Sequence, residues 1–276
     1  SLNFQSPAGQ VTGLTTSLQF TSLAPLITAP DQTIAIQRLD AITPLENIQA
    51  QFDLVAEAAS IDKATASLAG GQVHLEPLTV PLAKDQTITG VLNLSRIDVG
   101  RLVADTSLAD RIKVDAIVDG RLPFEMGPAG VRFREGRLRA VQPGRISISR
   151  TVLSNVETGA AAANPMDATQ PQEEFNAVQD FAYQAMENLH FDVLEAELNS
   201  LDKGRLGVLF KIQGEHDPAV AEEARISIQE AMQGTAFKRR IPLPKGTPVN
   251  LTLDTSLNFD ELLAAWRRGW KDAAEP

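Results

Sequence analysis

The chain contains no cysteine, which excludes disulfides, thiolate nucleophiles and every cysteine-ligated zinc or iron–sulfur site together. Aromatic residues make up only 5%, with one Tyr and two Trp among 276 residues. A sugar-binding β-protein would stack its ligand on Trp and Tyr, so the apolar surface here is aliphatic instead. Positive charge is also scarce: 25 Lys and Arg against 35 Asp and Glu give a net charge of −10. Proteins that track phosphates neutralise them with clustered basic side chains, and no basic stripe is visible. No run of roughly eighteen apolar residues occurs, and Ser1 to Gly9 has neither a charged n-region nor an apolar h-region. The chain itself is therefore expected to be soluble, with any anchor or signal lying outside it.

What is present is period-two alternation, punctuated by turn residues at short intervals. Leu14, Leu18 and Phe20 share one face of an expected strand; Ile34 and Ile36 begin the next, and Phe52 and Leu54 mark another. Val73 and Leu75 precede Pro77, and Ile88, Leu92 and Leu94 alternate with small or polar residues. A short helix is expected over 98–109, followed by one strand carrying Ile112, Val114, Ala116 and Val118. Between Asp119 and Arg150, Asp119-Gly120, Gly127-Pro128, Glu135-Gly136 and Pro143-Gly144 punctuate short runs carrying Leu122, Phe124, Val131, Phe133, Leu138 and Ile146. An antiparallel meander fits that spacing.

Residues 157–173, with four consecutive alanines, Asn164-Pro165 and Pro171, read as a linker or long loop. Phe175, Val178, Phe181, Ala182, Ala185 and Met186 fall at helical spacing and predict an amphipathic helix over 172–188. A hairpin follows, 189–198 returning through Leu206, Val208, Phe210 and Ile212 about a turn at 202–204. Asp217-Pro218 predicts a helix start running to about Met232. A last strand carries Val249, Leu251, Leu253 and Leu257, and Asn258 caps an expected terminal helix bearing Trp266. The expected organisation is thus 1–156, a linker over 157–173, and 174–276.

Raw material for catalysis is thin. His74, His190 and His216 have no metal-ligand spacing. Asp192, Glu195 and Glu197, or Glu222 and Glu223, could serve as acid and base, but carboxylates alternating with Leu and Val are the pattern of a solvated strand face. Gly120-Arg121-Leu122-Pro123 and Gly127-Pro128-Ala129-Gly130 lack the phosphate-loop pattern and read as turns. Arg132, Arg134, Arg137 and Arg139 offer either a contact for anionic headgroups or a charge-protected edge. Trp266, Arg267, Arg268, Trp270 and Lys271 offer either an interfacial contact or helix packing. No enzyme, cofactor or metal is expected. On pattern alone, the aliphatic strand faces suit a dry sandwich core better than a ligand groove.

A resemblance separates those two. Val118-Asp119-Gly120-Arg121-Leu122-Pro123-Phe124, continuing through Gly130 to Ala140 and on to Pro143-Gly144-Arg145-Ile146, resembles the YdbH family of AsmA-like, TamB-related proteins. Its recurring pattern is a G-x-L-P strand, an x-x-G-x-L-x-A strand and a P-G-x-[IL] turn. Residues 185–191 with Gly204 and Gly214, and residues 245–251 leading to Leu257-Asn258, are similar too, as are Gly13-Leu14, residues 22–26 and Gly70-Gly71.

The resemblance implies a mainly β fold: a long antiparallel sheet curled into a U-shaped hydrophobic groove, like a taco shell, with a few amphipathic helices. It implies a periplasmic segment of an intermembrane phospholipid-transport protein that is anchored in the inner membrane by an N-terminal helix absent from this chain. It also implies a small outer-membrane lipoprotein partner of the YnbE type, added by strand pairing. Solvating an acyl chain of about sixteen carbons costs roughly 0.8 kcal/mol per methylene, on the order of 12 kcal/mol, so a passive conduit needs a continuous apolar wall. Roughly a dozen strands about 4.8 Å apart build only about 55 Å of wall, as expected of a C-terminal portion. The expected groove residues are Phe20, Ile36, Phe52, Leu92, Val114, Val118, Phe133, Val208, Phe210 and Leu251. The alternative is an envelope assembly scaffold that binds a protein client by strand augmentation.

Overall fold

The computed structural model describes residues 1–6, 9–41, 43–83, 85–104, 109–128, 130–149, 177–219 and 242–258. The expected linker, the expected helix beyond residue 219 and the terminal Trp266–Lys271 patch lie outside these residues.

The first strands are β1 (Leu2–Ser6), β2 (Gly9–Ser17), β3 (Phe20–Leu23), β4 (Leu26–Thr28), β5 (Gln32–Asp40), β6 (Leu45–Val55) and β7 (Ala58–Leu68). Next come β8 (Gly71–Leu75), β9 (Leu78–Pro81), β10 (Ile88–Asp98) and a short helix α1 (Val99–Ala104). They are followed by β11 (Ile112–Asp115), β12 (Ile117–Gly127), β13 (Gly130–Phe133), β14 (Gly136–Ala140) and β15 (Gly144–Ile148). Helix α2 (Ala177–Glu187), β16 (Leu189–Ser200), β17 (Arg205–His216) and β18 (Pro248–Asn258) complete the described chain.

All but β3 and β4 join one 16-stranded sheet, whose main path runs β1-β2-β5-β6-β7-β8-β10-β12-β14-β16-β15-β11. Every pairing is antiparallel. The sheet is the expected mainly β, curled antiparallel type, and it stays open instead of closing into a barrel. Strands on either side of the expected linker hydrogen-bond to each other, β14 and β15 both pairing with β16.

Three local expectations need correction. Ile112, Val114, Ala116 and Val118 are divided between two strands. Ala116 is the corner, 2% exposed, and its carbonyl accepts from the Val99 N–H at 3.0 Å instead of a ladder partner. Alternation persists through the corner, so the pattern alone could not reveal it. Leu14, Leu18 and Phe20 likewise do not share a strand: β2 ends at Ser17, and Phe20 opens the separate β3–β4 hairpin. The region 119–150 is no simple meander, because β14 and β15 do not pair with each other but take different halves of one side of β16.

The densest core gathers where α2 meets the sheet. Ala185 and Met186 pack with Ala116, Ile146, Leu189, Phe191, Leu194, Ile212 and Val249, and Phe191 is wholly buried. Each large aliphatic or aromatic side chain buried this way contributes about 1.5–3 kcal/mol. Gly144 is required here, since a Cβ on it would overlap the Asp115 carbonyl oxygen and come within 2.7 Å of the Phe191 ring.

Candidate functional site

Directly opposed residues in an antiparallel pair project to the same face, so the register maps the wall. One row runs Ile34, Ala50, Ala64, Leu75, Leu92, Leu122 across β5, β6, β7, β8, β10 and β12. A second runs Ala66, Val73, Leu94, Gly120, Leu138, Ala196, Phe210, Leu253 from β7 to β18. Neither row contains a polar side chain. The glycine is a close approach: a Cβ at Gly120 would overlap the Leu138 side chain.

A bulge keeps the wall apolar where strict alternation would break it. Arg96 has a left-handed φ of 54°, and the register slips between Leu94 and Ile97. Ile97 thereby returns to the apolar side opposite Val118 and is 1% exposed. A bulge of this kind adds one residue and re-aims those beyond it.

The opposite face is polar and charge-compensated. Asp119, Arg139, Glu195, Lys211 and Thr252 form one row, and His74, Asn93, Arg121, Arg137 and Glu197 lie along another. Arg134 pairs with Glu125 at 3.0 Å, Lys211 with Glu197 at 3.0 Å, Arg121 with Glu76 at 3.6 Å and Arg139 with Glu195 at 3.8 Å. Exposed pairs of this kind contribute about 0–1 kcal/mol each. They define a solvated face more than they stabilise the fold. Arg137 and Arg139 are thus not on a sheet edge, because β14 is flanked by β12 and β16 and faces Glu195 and Glu197, whereas Arg132 lies on β13, which pairs with β12.

All of the expected groove residues except Phe20 lie on the apolar face. Ile36 opposes Ile48, Phe52 opposes Ile61, Leu92 opposes Leu75 and Leu122, and Phe133 opposes Phe124. Val118 opposes Ile97, Val208 opposes Leu198, Phe210 opposes Ala196 and Leu251 opposes Ile212. Val114 opposes Ile146 in the core beneath α2, against which Phe210 and Leu251 also pack. Phe20 stands on the β3–β4 hairpin, 44% exposed. Sequence reading missed β7 altogether, whose Ala64 and Ala66 complete both rows. The only signal was weak alternation of Ala with Ser and Thr.

Exposure divides the wall. Ile34, Ile36, Ile48, Phe52, Leu75, Leu92, Leu94, Leu122 and Phe124 are half-buried, although they form the interior of a continuous apolar surface. Under α2 the same face is sealed.

That sealed end is tied by charge. Asp217, beyond β17, accepts from Lys245 Nζ at 2.7 Å and is paired with Arg145 of β15. Its backbone N–H donates to Asn188 O at 2.8 Å. Hydrogen bonding from Lys245, then the charges of Arg145 and Lys245, hold the Asp217 carboxyl below the usual carboxylate range against the opposing effect of burial. At the sheet's other end, the hydrogen bond to Asp40 and its charge, with Glu46 adding, raise the Arg38 guanidinium. Among the described residues no group of His, Asp and Glu is arranged to hold a metal, and no helix is long and apolar enough to cross a membrane. Of the carboxylates weighed as acid and base, Glu195 and Glu197 are the ion-paired outer-face residues above, and Glu222 and Glu223 lie outside the described residues.

A family model described as YdbH-like, intermembrane phospholipid transport protein YdbH, matches residues 1–267. No curated protein and no solved structure matches the chain.

Proposed function

The chain belongs to the YdbH-like family of intermembrane phospholipid transport proteins, and from that premise we propose that its apolar face is the surface along which acyl chains are held and passed between the inner and outer membranes. The observation that carries this reading is the unbroken apolar register from β5 to β18 together with the incomplete burial of most of it between β5 and β13. A dry sandwich would bury those side chains against a second layer. Half-buried aliphatics in continuous rows instead leave a surface on which a chain of methylenes recovers about 0.8 kcal/mol each on leaving water. The role requires shape and hydrophobicity, and no proton transfer or nucleophile. The segment would work in the periplasm, as part of a protein anchored in the inner membrane.

The lipoprotein partner of the YnbE type would add at β18. That strand pairs only with β17 among the described strands and presents Val249, Leu251 and Leu253 on the apolar side. Strand addition there would extend both the backbone ladder and the wall. The same open edge supports the second reading, a scaffold whose client is a protein strand.

A photo-crosslinking residue placed at Leu92 or Phe210 of the full-length protein should capture co-purified phospholipid, while one at Asn93 or Lys211 should not. Equal capture on both faces would overturn the assignment. Protein purified without lipid, and still binding a strand-forming peptide, would favour the scaffold.

A further inference from the structure

The trough has two unlike rims. Strands β2, β6, β12 and β16 end at one of them, and β5, β7, β10, β14 and β17 end at the other. At the first stand Phe20, Leu23 and Leu26 of the β3–β4 hairpin, Val55 at the end of β6, Leu82 after β9 and Met126 near the end of β12. All are large and exposed, Leu23 at 76%. At the second rim the large exposed apolar residues among the described ones are Phe4, in register with Leu39 near the end of β5, and Val141. Ion pairs cluster there, Arg38 with Asp40, Arg101 with Asp98, and Arg145 and Lys245 with Asp217, whereas Arg134 and Glu125, which pair near the first rim, lie on the outer face.

The greasy strip is continuous with the inner wall. Met126 opposes Ile88 and Val131 and shares a face with Leu122 and Phe124. Leu82 follows Leu78 and Val80 in phase, and Leu78 opposes Ile61 on that face. The hairpin stands on the same side. Gln32, 6% exposed and opposite Phe52, donates from Nε2 to the carbonyls of Ala29 and Pro30 at 2.9 and 3.0 Å. Its Oε1 accepts from the Gln19 N–H at 2.7 Å, so a buried amide pins the hairpin's base to the inner face. Polar groups near this rim, such as Asp53 and Glu125, occupy outer-face positions opposite Ser60 and Arg132.

We propose that a phospholipid is carried across the trough in a fixed orientation, acyl chains against the apolar rim of Val55, Leu82, Met126 and the β3–β4 hairpin, and headgroup over the ion-paired rim. The inference rests on the lipid-binding reading above and deepens it. The occupant of the strip is the acyl chain because the strip prolongs the acyl-binding wall, with no break in polarity between them. A zwitterionic or anionic headgroup leaving by that rim would desolvate against six apolar side chains, whereas the opposite rim offers exposed guanidinium and ammonium groups for its phosphate.

The test uses the full-length protein and two phosphatidylethanolamine probes, one with a diazirine in the acyl chain and one with the diazirine on the headgroup, with adducts mapped by mass spectrometry. The acyl probe should label Leu82 and Met126 several-fold more than Gln142 and Lys245, and the headgroup probe should show the reverse bias. Leu82→Glu and Met126→Glu, checked for folding by circular dichroism, should cut acyl labelling at that rim several-fold and leave labelling at Leu92 in place. Labelling at Leu92 and Phe210 without bias between rims overturns the orientation and spares the lipid reading. No acyl labelling at Leu92 or Phe210 overturns both. Adducts joining Leu82 or Met126 to a second protein copy, in place of lipid, overturn the orientation by assigning the strip another occupant.

Discussion

The two ends of this sheet are built from the same period-two alternation, yet they treat their apolar face oppositely. From β5 to β13 the face is half-open apart from the buried Ile97 and Val118, whereas around β15, β16 and β17 helix α2 lies on it and Phe191, Leu189 and Ile212 are buried to 3% exposure or less. What differs is the presence of one amphipathic helix with Ala185 and Met186 on its inward side. The same strand chemistry therefore makes core when covered and leaves an accessible apolar surface when not. Stability should concentrate at the covered end and ligand affinity at the open one.

The largest expected effect comes from emptying the covered end. Phe191→Ala should cost about 3–5 kcal/mol, as large core truncations do, read as a lowered denaturation midpoint. A loss no greater than that of Phe52→Ala would erase the distinction between the ends. Gly144→Ala should follow with about 1–3 kcal/mol from overpacking against Asp115 and Phe191, seen in the same measurement. On the open side, Leu92→Ala should cost only about 1 kcal/mol, because its side chain is half-buried. It should nonetheless reduce co-purified phospholipid, measured by extraction and mass spectrometry.

The smallest effect sharpens the comparison through pH. The Asp217 carboxyl is depressed in the folded state, so its stabilisation is fully present above the unfolded carboxylate pKa of about 3.9 and is lost as pH falls through the folded value. Asp217→Asn should therefore melt below the parent protein at neutral pH, and the gap should close on acidification. A gap that widens in acid would contradict the lock drawn between β15 and β17.

Much of this was legible in the sequence, unevenly. The hairpin β16–β17, the strand β18, the turn at 202–204 and the inward phases of Leu92, Leu122 and Phe210 follow from alternation with strong aliphatics. Strand β7 was invisible because Ala and Ser have weak strand preference and an Ala-rich face barely differs from its polar side in hydropathy. The Ala116 corner and the Arg96 bulge were hidden for opposite reasons. One preserves the phase across a change of partner strands, and the other shifts the phase to preserve the face. Asp217 drew notice as a helix cap, and only the fold brings Arg145 to it across 72 positions of chain. The rim asymmetry needs strand direction, which no local pattern carries.

The branching at β16 bears on how the chain matures. Among the described strands, β15 has only β11 beside it, and β14 only β12, until residues 189–200 arrive to satisfy both. A nascent chain emerging from its N-terminus thus holds two unsatisfied edges side by side, inviting wrong partners. A chaperone that shields bare strands would be needed most in that interval, and least once β16 has zipped in.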